Sequence, residues 1–215
     1  MILRTVKAIS LVAYIALLWA GYSAVHIERY IDLVVFARPI YQVAPPVAGT
    51  FTPEVQHWWA DIDRWASARS LDPYLVATVM QIESCGDPQA VSSSRAQGLF
   101  QVMPFHFSEG AAMLDPETNA ATGLSYLVYT LNAASGDPNL AMAAYNGGPS
   151  MIGLPLEQWP DEVRRYYYWG SGIYAEAKSG SGSNQRLQEW LDAGGRMLCG
   201  QATRRLQLQS NWRAA

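Results

Sequence analysis

Charge is scarce in this chain of 215 residues: Asp, Glu, Lys and Arg together make up 15% of it, where an ordinary soluble domain carries about 25%. Half of the residues are hydrophobic and 12% are aromatic. Intrinsic disorder, which needs low hydrophobicity and high net charge, is thereby excluded. A basic excess is also missing, since 15 Lys and Arg face 18 Asp and Glu for a net charge of −3. Such a chain has little with which to displace counterions from phosphates, so nucleic acid is not an expected partner. The two cysteines are too few for a disulfide framework or a four-thiolate zinc site. The three histidines, His26, His57 and His106, have no metal-ligand spacing. No G-x-S-x-G elbow and no P-loop occurs. Neither a metal nor an organic cofactor is expected.

What is present begins with an apolar run. Residues 8–27 read AISLVAYIALLWAGYSAVHI without a charge, and about 20 such residues span a bilayer as a helix. Arg4 and Lys7 precede the run, which predicts a cytoplasmic N-terminus and an extracytoplasmic remainder. A cleaved signal sequence is the alternative, but the run is long for one and no A-x-A site follows. Residues 28–53 form a juxtamembrane segment and a linker whose stretch PIYQVAPPVAGTFTP holds four prolines.

From Glu54 the pattern becomes helical. Val55, Trp58, Trp59, Ile62 and Trp65 recur at spacings of three and four, which predicts one amphipathic helix with the tryptophans in the core. Asp72-Pro73, Asp115-Pro116 and Asp137-Pro138 each set an N-cap residue before a proline suited to the first helical position. Three helices are predicted from these starts, and a fourth over 161–178. SGSGSN at 179–184 is a break, and 185–198 an amphipathic tail helix. A domain over 54–178 is therefore expected, with a tail over 179–215. The domain holds six basic and fourteen acidic residues, a net −8, whereas the tail holds five arginines against Glu189 and Asp192.

Glu83 is the first candidate for chemistry. It closes a helix of largely apolar residues, where the negative end of the macrodipole and the poor solvation both disfavour its charged form. Both effects raise its pKa, as a general acid working near neutral pH requires. Taken alone, an ordinary solvated glutamate is the commoner case.

The residues that follow change that balance. Glu83-Ser84 at a helix end is succeeded by Asp87-Pro88-Gln89-Ala90-Val91-Ser92, then Gly98-Leu99-Phe100-Gln101-Val102-Met103-Pro104, then Ala144-Tyr145-Asn146-Gly147-Gly148-Pro149. This ordered set resembles the soluble-type lytic transglycosylases, relatives of goose-type lysozyme, whose blocks read E-S, N-P-x-A-x-S, G-L-M-Q-x-M-P and A-Y-N-x-G. Glu162-Val163-Arg164-Arg165-Tyr166 is similar to their late E-T-x-x-Y segment. Asp87, Phe100 and Val163 depart from the family's usual asparagine, methionine and threonine, and Cys85 is an unusual neighbour for Ser84.

The resemblance implies a mainly α-helical, lysozyme-like domain with a small irregular β-containing loop region, here preceded by one N-terminal transmembrane helix. It implies a bacterial enzyme acting on peptidoglycan glycan strands, which the apolar run at 8–27 would hold on the outer side of the cytoplasmic membrane. The MurNAc-β-1,4-GlcNAc bond would be cleaved without water to leave 1,6-anhydro-MurNAc ends. Glu83 would be the single acid and then base. Ser92, Ser94, Gly98, Gln101, Tyr145, Asn146 and Tyr166 would bind substrate or support Glu83, while Ser84 would brace the helix end. Turn chemistry for the two serines, a strained turn at Gly98, and packing for the tyrosines are the plainer alternatives. Tyr167, Tyr168 and Trp169 are read as core before they are read as sugar platforms.

Two cysteines outside the cytoplasm are expected to pair, so Cys85 and Cys199 are expected to form a disulfide that holds the tail beside the Glu83 helix. Two alternatives to the transglycosylase reading remain at this stage. One is a hydrolytic lysozyme with a second carboxylate about 6.5–9.5 Å from the first, drawn from Asp87, Glu109, Asp115 or Glu162. The other is a non-catalytic wall-binding module within an envelope-spanning protein assembly.

Overall fold

In a computed structural model of the chain, residues 49–208 are described. The apolar run at 8–27 and most of the linker lie outside them. Among the described residues no helix is long and apolar enough to cross a membrane.

Among the described residues eight α-helices form the body: α1 (Pro53–His57), α2 (Trp59–Ser67), α3 (Pro73–Glu83), α4 (Pro116–Ala133), α5 (Pro138–Gly147), α6 (Asp161–Ser179), α7 (Gln185–Trp190) and α8 (Arg196–Arg205). The Asp-Pro signals act as their chemistry dictates. Asp72 Oδ1 accepts the Tyr74 N–H at 2.9 Å, Asp115 Oδ2 accepts the Thr118 N–H at 2.9 Å, and Asp137 Oδ1 accepts the Asn139 N–H at 2.8 Å. Each carboxylate thus satisfies a donor that the first helical turn leaves unpaired.

α3 is the spine. Leu75, Val76, Ala77, Val79 and Met80 are all at most 1% exposed, so this helix is apolar on nearly every side, as a central helix must be. It packs against α2 and α6, and α5 packs between α4 and α6. The stretch between α3 and α4 is irregular. It carries two isolated antiparallel bridges, Val91 with Gln97 and Gln97 with Val102, and no longer strand. Mainly helical architecture with a small β-containing loop is what the family resemblance led us to expect.

Three expectations are corrected. The helix anticipated from Glu54 is two helices, α1 and α2, broken at Trp58. The Trp58 indole N–H donates to the Gly86 carbonyl at 2.9 Å and its ring stacks on Trp65, so this half-buried residue serves the loop after α3. Trp59 and Trp65 are in the core as expected.

The linker ends earlier than Thr52. Phe51 is 1% exposed and Thr50 and Thr52 are buried; burying a phenylalanine stabilises by ~1.5–3 kcal/mol, more than a spacer would hold in reserve. The tail is likewise no appendage. Leu187, Trp190, Leu191, Cys199 and Ala202 belong to the same core, and its helix is split by a wide turn at Leu191–Gly195. There Gly194 takes φ 129 and Gly195 lies against the Trp190 ring, a conformation and an approach suited to glycine. The two positions are adjacent in the sequence, so a continuous helix over 185–198 is not attained.

Candidate active site

The site is assembled at the C-terminal end of α3. Glu83 is its last residue, and the chain then turns sharply through Cys85 (φ 52) and Gly86 (φ 79). Ser84 locks this turn. Its fully buried hydroxyl donates to the Leu99 carbonyl at 2.7 Å and accepts the Gly86 N–H at 3.0 Å. The end of the helix is thereby tied to the irregular loop 15 residues further on.

Glu83 keeps one edge open to solvent. The Tyr166 hydroxyl, from α6, donates to its Oε1 at 2.9 Å. Burial raises the Glu83 pKa to about 8; the Tyr166 hydrogen bond opposes that rise, and the negative charge of Glu162, one helical turn before Tyr166, adds to it. The direction follows from the low dielectric around an apolar helix. Tyr145 of α5 is also near enough to sense the Glu83 charge. Its hydroxyl is turned to the Phe100 carbonyl at 2.9 Å. Burial, then the Glu83 charge, holds both phenols well above their ordinary value, so both stay neutral donors.

Helices α3, α5 and α6 therefore bring Glu83, Tyr145 and Tyr166 together. The other expected site residues surround this trio in the loop or beyond it. Gln101, at φ 43, directs its amide N–H groups to the carbonyls of Ala90 (3.2 Å) and Gly98 (3.0 Å). The Ser92 hydroxyl accepts the Ala96 N–H at 2.9 Å within a turn, and Ser94 is exposed. Asn146 is half-buried at the end of α5, just before Gly148 (φ 86). At Gly98, φ 72, an added Cβ would lie 2.5 Å from the Asn119 amide nitrogen, so the turn packs closely on α4, as the strained-turn alternative has it.

Asn119 is the residue that sequence reasoning missed. Wholly buried on α4, it accepts the Phe100 N–H at 2.9 Å and donates to the carbonyls of Gln97 (2.7 Å) and Met113 (2.9 Å). One side chain thus fixes the loop that carries Gln101 and orients the Phe100 carbonyl toward Tyr145. Gly123, one turn later, leaves room for Phe100, whose Cβ would be 2.7 Å from any added methyl. Two poor helix formers in the interior of a helix were the available signal.

Of the four candidates for a second carboxylate, only Glu162 acts on Glu83. Asp87 is buried in its own turn, accepting the Gln89 N–H, and Asp115 is spent capping α4. Tyr167 and Trp169 are half-buried, while Tyr168 is exposed and covered by the Arg186 guanidinium 3.7 Å from its ring centre. Cys85 and Cys199 are joined by a disulfide. Together with Glu54 they gather potential metal-ligand atoms within 4.8 Å, but both sulfurs are consumed by the bond. Three cavities of the described residues have linings that do not include Glu83.

Comparison with known proteins agrees with this reading. Residues 61–165 match the family model described as the transglycosylase SLT domain. The "Transglycosylase" of Enterobacteria phage PRD1 is 35% identical over 112 residues, covering 50% of this chain and 42% of that one. "Membrane-bound lytic murein transglycosylase C" of Edwardsiella ictaluri is 32% identical over 134 residues, covering 53% and 37% respectively. The chain thus spans less than half the length of these curated relatives. A solved structure of the lytic transglycosylase Slt of Pseudomonas aeruginosa, an inactive mutant, covers 56% of this chain at 24% identity with a TM-score of 0.47.

Proposed function

We propose, from a chain that belongs over residues 61–165 to the transglycosylase SLT family, that this protein is a peptidoglycan lytic transglycosylase with Glu83 as its acid and base. The observation that carries the reading is the Glu83–Tyr166 pair, a carboxyl group with a pKa of about 8 whose Oε1 is already occupied at 2.9 Å. At pH 7 such a group is about nine-tenths protonated. With Oε1 engaged, Oε2 is the oxygen available to deliver the proton.

The chemistry then follows in two proton transfers. Glu83 protonates the oxygen between muramic C1 and the following glucosamine, and the C1–O bond breaks. The muramic N-acetyl oxygen supports C1 in the manner of substrate-assisted glycosidases. The Glu83 carboxylate, stabilised by the Tyr166 hydroxyl, next takes the proton of the muramic C6 hydroxyl. That oxygen bonds to C1, giving a 1,6-anhydro end and restoring protonated Glu83. A base and acid in one residue works best with its pKa near the working pH, which burial at the end of α3 supplies.

Residues 8–27 would anchor the domain, or direct its export, and residues 28–48 would hold it away from the bilayer. The catalytic body would then act on the outer side of the cytoplasmic membrane, where partner proteins of the envelope could position it. Hydrolysis is the second reading, because the Glu162 charge acts on Glu83.

Mass spectrometry of products from sacculi treated with the full chain, beside Glu83→Gln, separates the readings. Anhydro ends that vanish in the variant are the expected result. Reducing ends would replace the transglycosylase by a hydrolase, and intact sacculi in the presence of folded, bound protein would leave a binding module.

A further inference from the structure

The tail carries its own charge arrangement, outside the family segment. Residues 61–165 make up that segment, and α7 and α8 lie beyond it. Within the described tail each acidic residue is matched by an arginine. Arg186 pairs with Glu189 at 3.0 Å and Arg196 with Asp192 at 2.8 Å. Arg204 and Arg205 have no such partner among the described residues, and both are exposed. They carry the surplus positive charge of the described part of the tail.

Both line one cavity of about 720 Å³, together with Gln201 of the same helix and Asp87, Gln89 and Val91 of the loop after α3. Its opposite wall is therefore the loop that begins four residues after Glu83. Asp87 is the one acidic group on this wall. It is 3% exposed, with Oδ1 already taken by the Gln89 N–H, so the accessible charge is positive. The placement is fixed from both sides, by the Cys85–Cys199 disulfide and by the Thr203 hydroxyl, which donates to the buried Glu54 carboxylate.

We propose that Arg204 and Arg205 form a binding site for the carboxylates of the peptide branches borne by a peptidoglycan strand, beside the loop that follows Glu83. The proposal rests on the glycan reading of the Glu83 site. Residues 54–178 carry six basic and fourteen acidic residues, of which Glu54 and Asp87 are buried, and the net negative charge that remains opposes a substrate whose branches end in carboxylates. Two unpaired guanidiniums brought against the catalytic loop offset that repulsion where a branch leaves the strand. A guanidinium presents a planar fork of donors matched to a carboxylate, while the neighbouring Gln89 and Gln201 amides match peptide groups. Val91, 57% exposed, offers an apolar contact for an alanine methyl.

The test measures binding of the full chain in a Glu83→Gln background, which leaves strands uncut. The ligands are soluble glycan strands with their peptides and the same strands stripped of them. The expected result is tighter binding of the peptide-bearing strands, lost roughly fivefold in Arg204→Gln/Arg205→Gln, as two exposed ion pairs allow. Binding of the stripped strands should not change, and Arg204→Lys/Arg205→Lys should recover part of the loss. Equal weakening on both strands, or none on either, overturns the proposal. A folded parent that binds neither strand overturns the glycan reading and this site with it, a pattern distinct from a parent that binds both strands alike, which removes only the arginine assignment.

Discussion

Glu83→Gln should stabilise the fold by an amount that depends on pH. In the unfolded chain Glu83 titrates near its ordinary 4.5, and in the folded protein near 8. Between those values the folded state holds a proton that the unfolded state has released, so wild-type stability falls as pH rises through this interval. The contribution is fully present below 4.5 and gone above 8. Glutamine mimics the protonated form and does not titrate. The variant's advantage over wild type should therefore grow by ~3 kcal/mol between pH 4.5 and 7, at 1.36 kcal/mol per unit, and level off near ~5 kcal/mol above pH 8. Water at the open edge of the side chain reduces both figures, and half of either is still measurable by urea unfolding. Because the prediction is a change with pH, constant differences in packing between Glu and Gln cancel. A difference that stays flat from pH 4 to 8.5, or that reverses sign, would refute the elevated pKa and with it the acid role of Glu83.

Tyr166→Phe removes the donor that holds the Glu83 pKa down, so the alkaline limb of kcat/KM should move upward from its wild-type position near pH 8, with kcat reduced about tenfold or more, as loss of a hydrogen bond to a charged group implies; a pH–rate profile with an unmoved limb counts against the pairing. Glu162→Gln should move the same limb downward, since its charge raises the Glu83 pKa, while the products keep their anhydro ends; a switch in product, or loss of all cleavage, would make Glu162 a participant. Asn119→Ala should cost ~1–3 kcal/mol by thermal or urea unfolding, because the buried Phe100 N–H loses its acceptor and the half-buried Met113 and Gln97 carbonyls each lose a donor, Gln97 keeping the Val102 N–H, and activity should fall further than stability alone explains. A loss under ~0.5 kcal/mol would show that the loop holds itself.

The parts legible in the sequence are those fixed by local chemistry. Asp72, Asp115 and Asp137 each announce a helix, because the cap and the following proline act within one turn. Glu83 was legible for a similar reason, its helix being too apolar to solvate it. Gln101 was found by the motif, but not its conformation or its task of holding Ala90 and Gly98, which depend on the whole loop. Asn119 escaped notice because its partners lie between 6 and 22 residues away. The break at Trp58 was hidden for the same reason. Helical spacing continues through it, and the bond that interrupts the helix reaches 28 residues ahead to Gly86.

The two ends of the described chain meet at one place. Thr52 donates its N–H to Gln81 at 3.0 Å, on the last turn of α3, and its hydroxyl lies 3.2 Å from the Cys85 sulfur. Cys199 is bonded to that same sulfur. Tension applied through the preceding segment would thus pass the Gly49 carbonyl, held by the Asn184 amide at 3.1 Å, and reach the last turn of the Glu83 helix through Thr52, and the tail would share the strain from the opposite direction. A domain tethered at its N-terminal side and gripping a stiff polymer would feel the load on its tether at the catalytic helix end. Cleavage under stretch, with and without the disulfide, would therefore differ even where cleavage at rest does not.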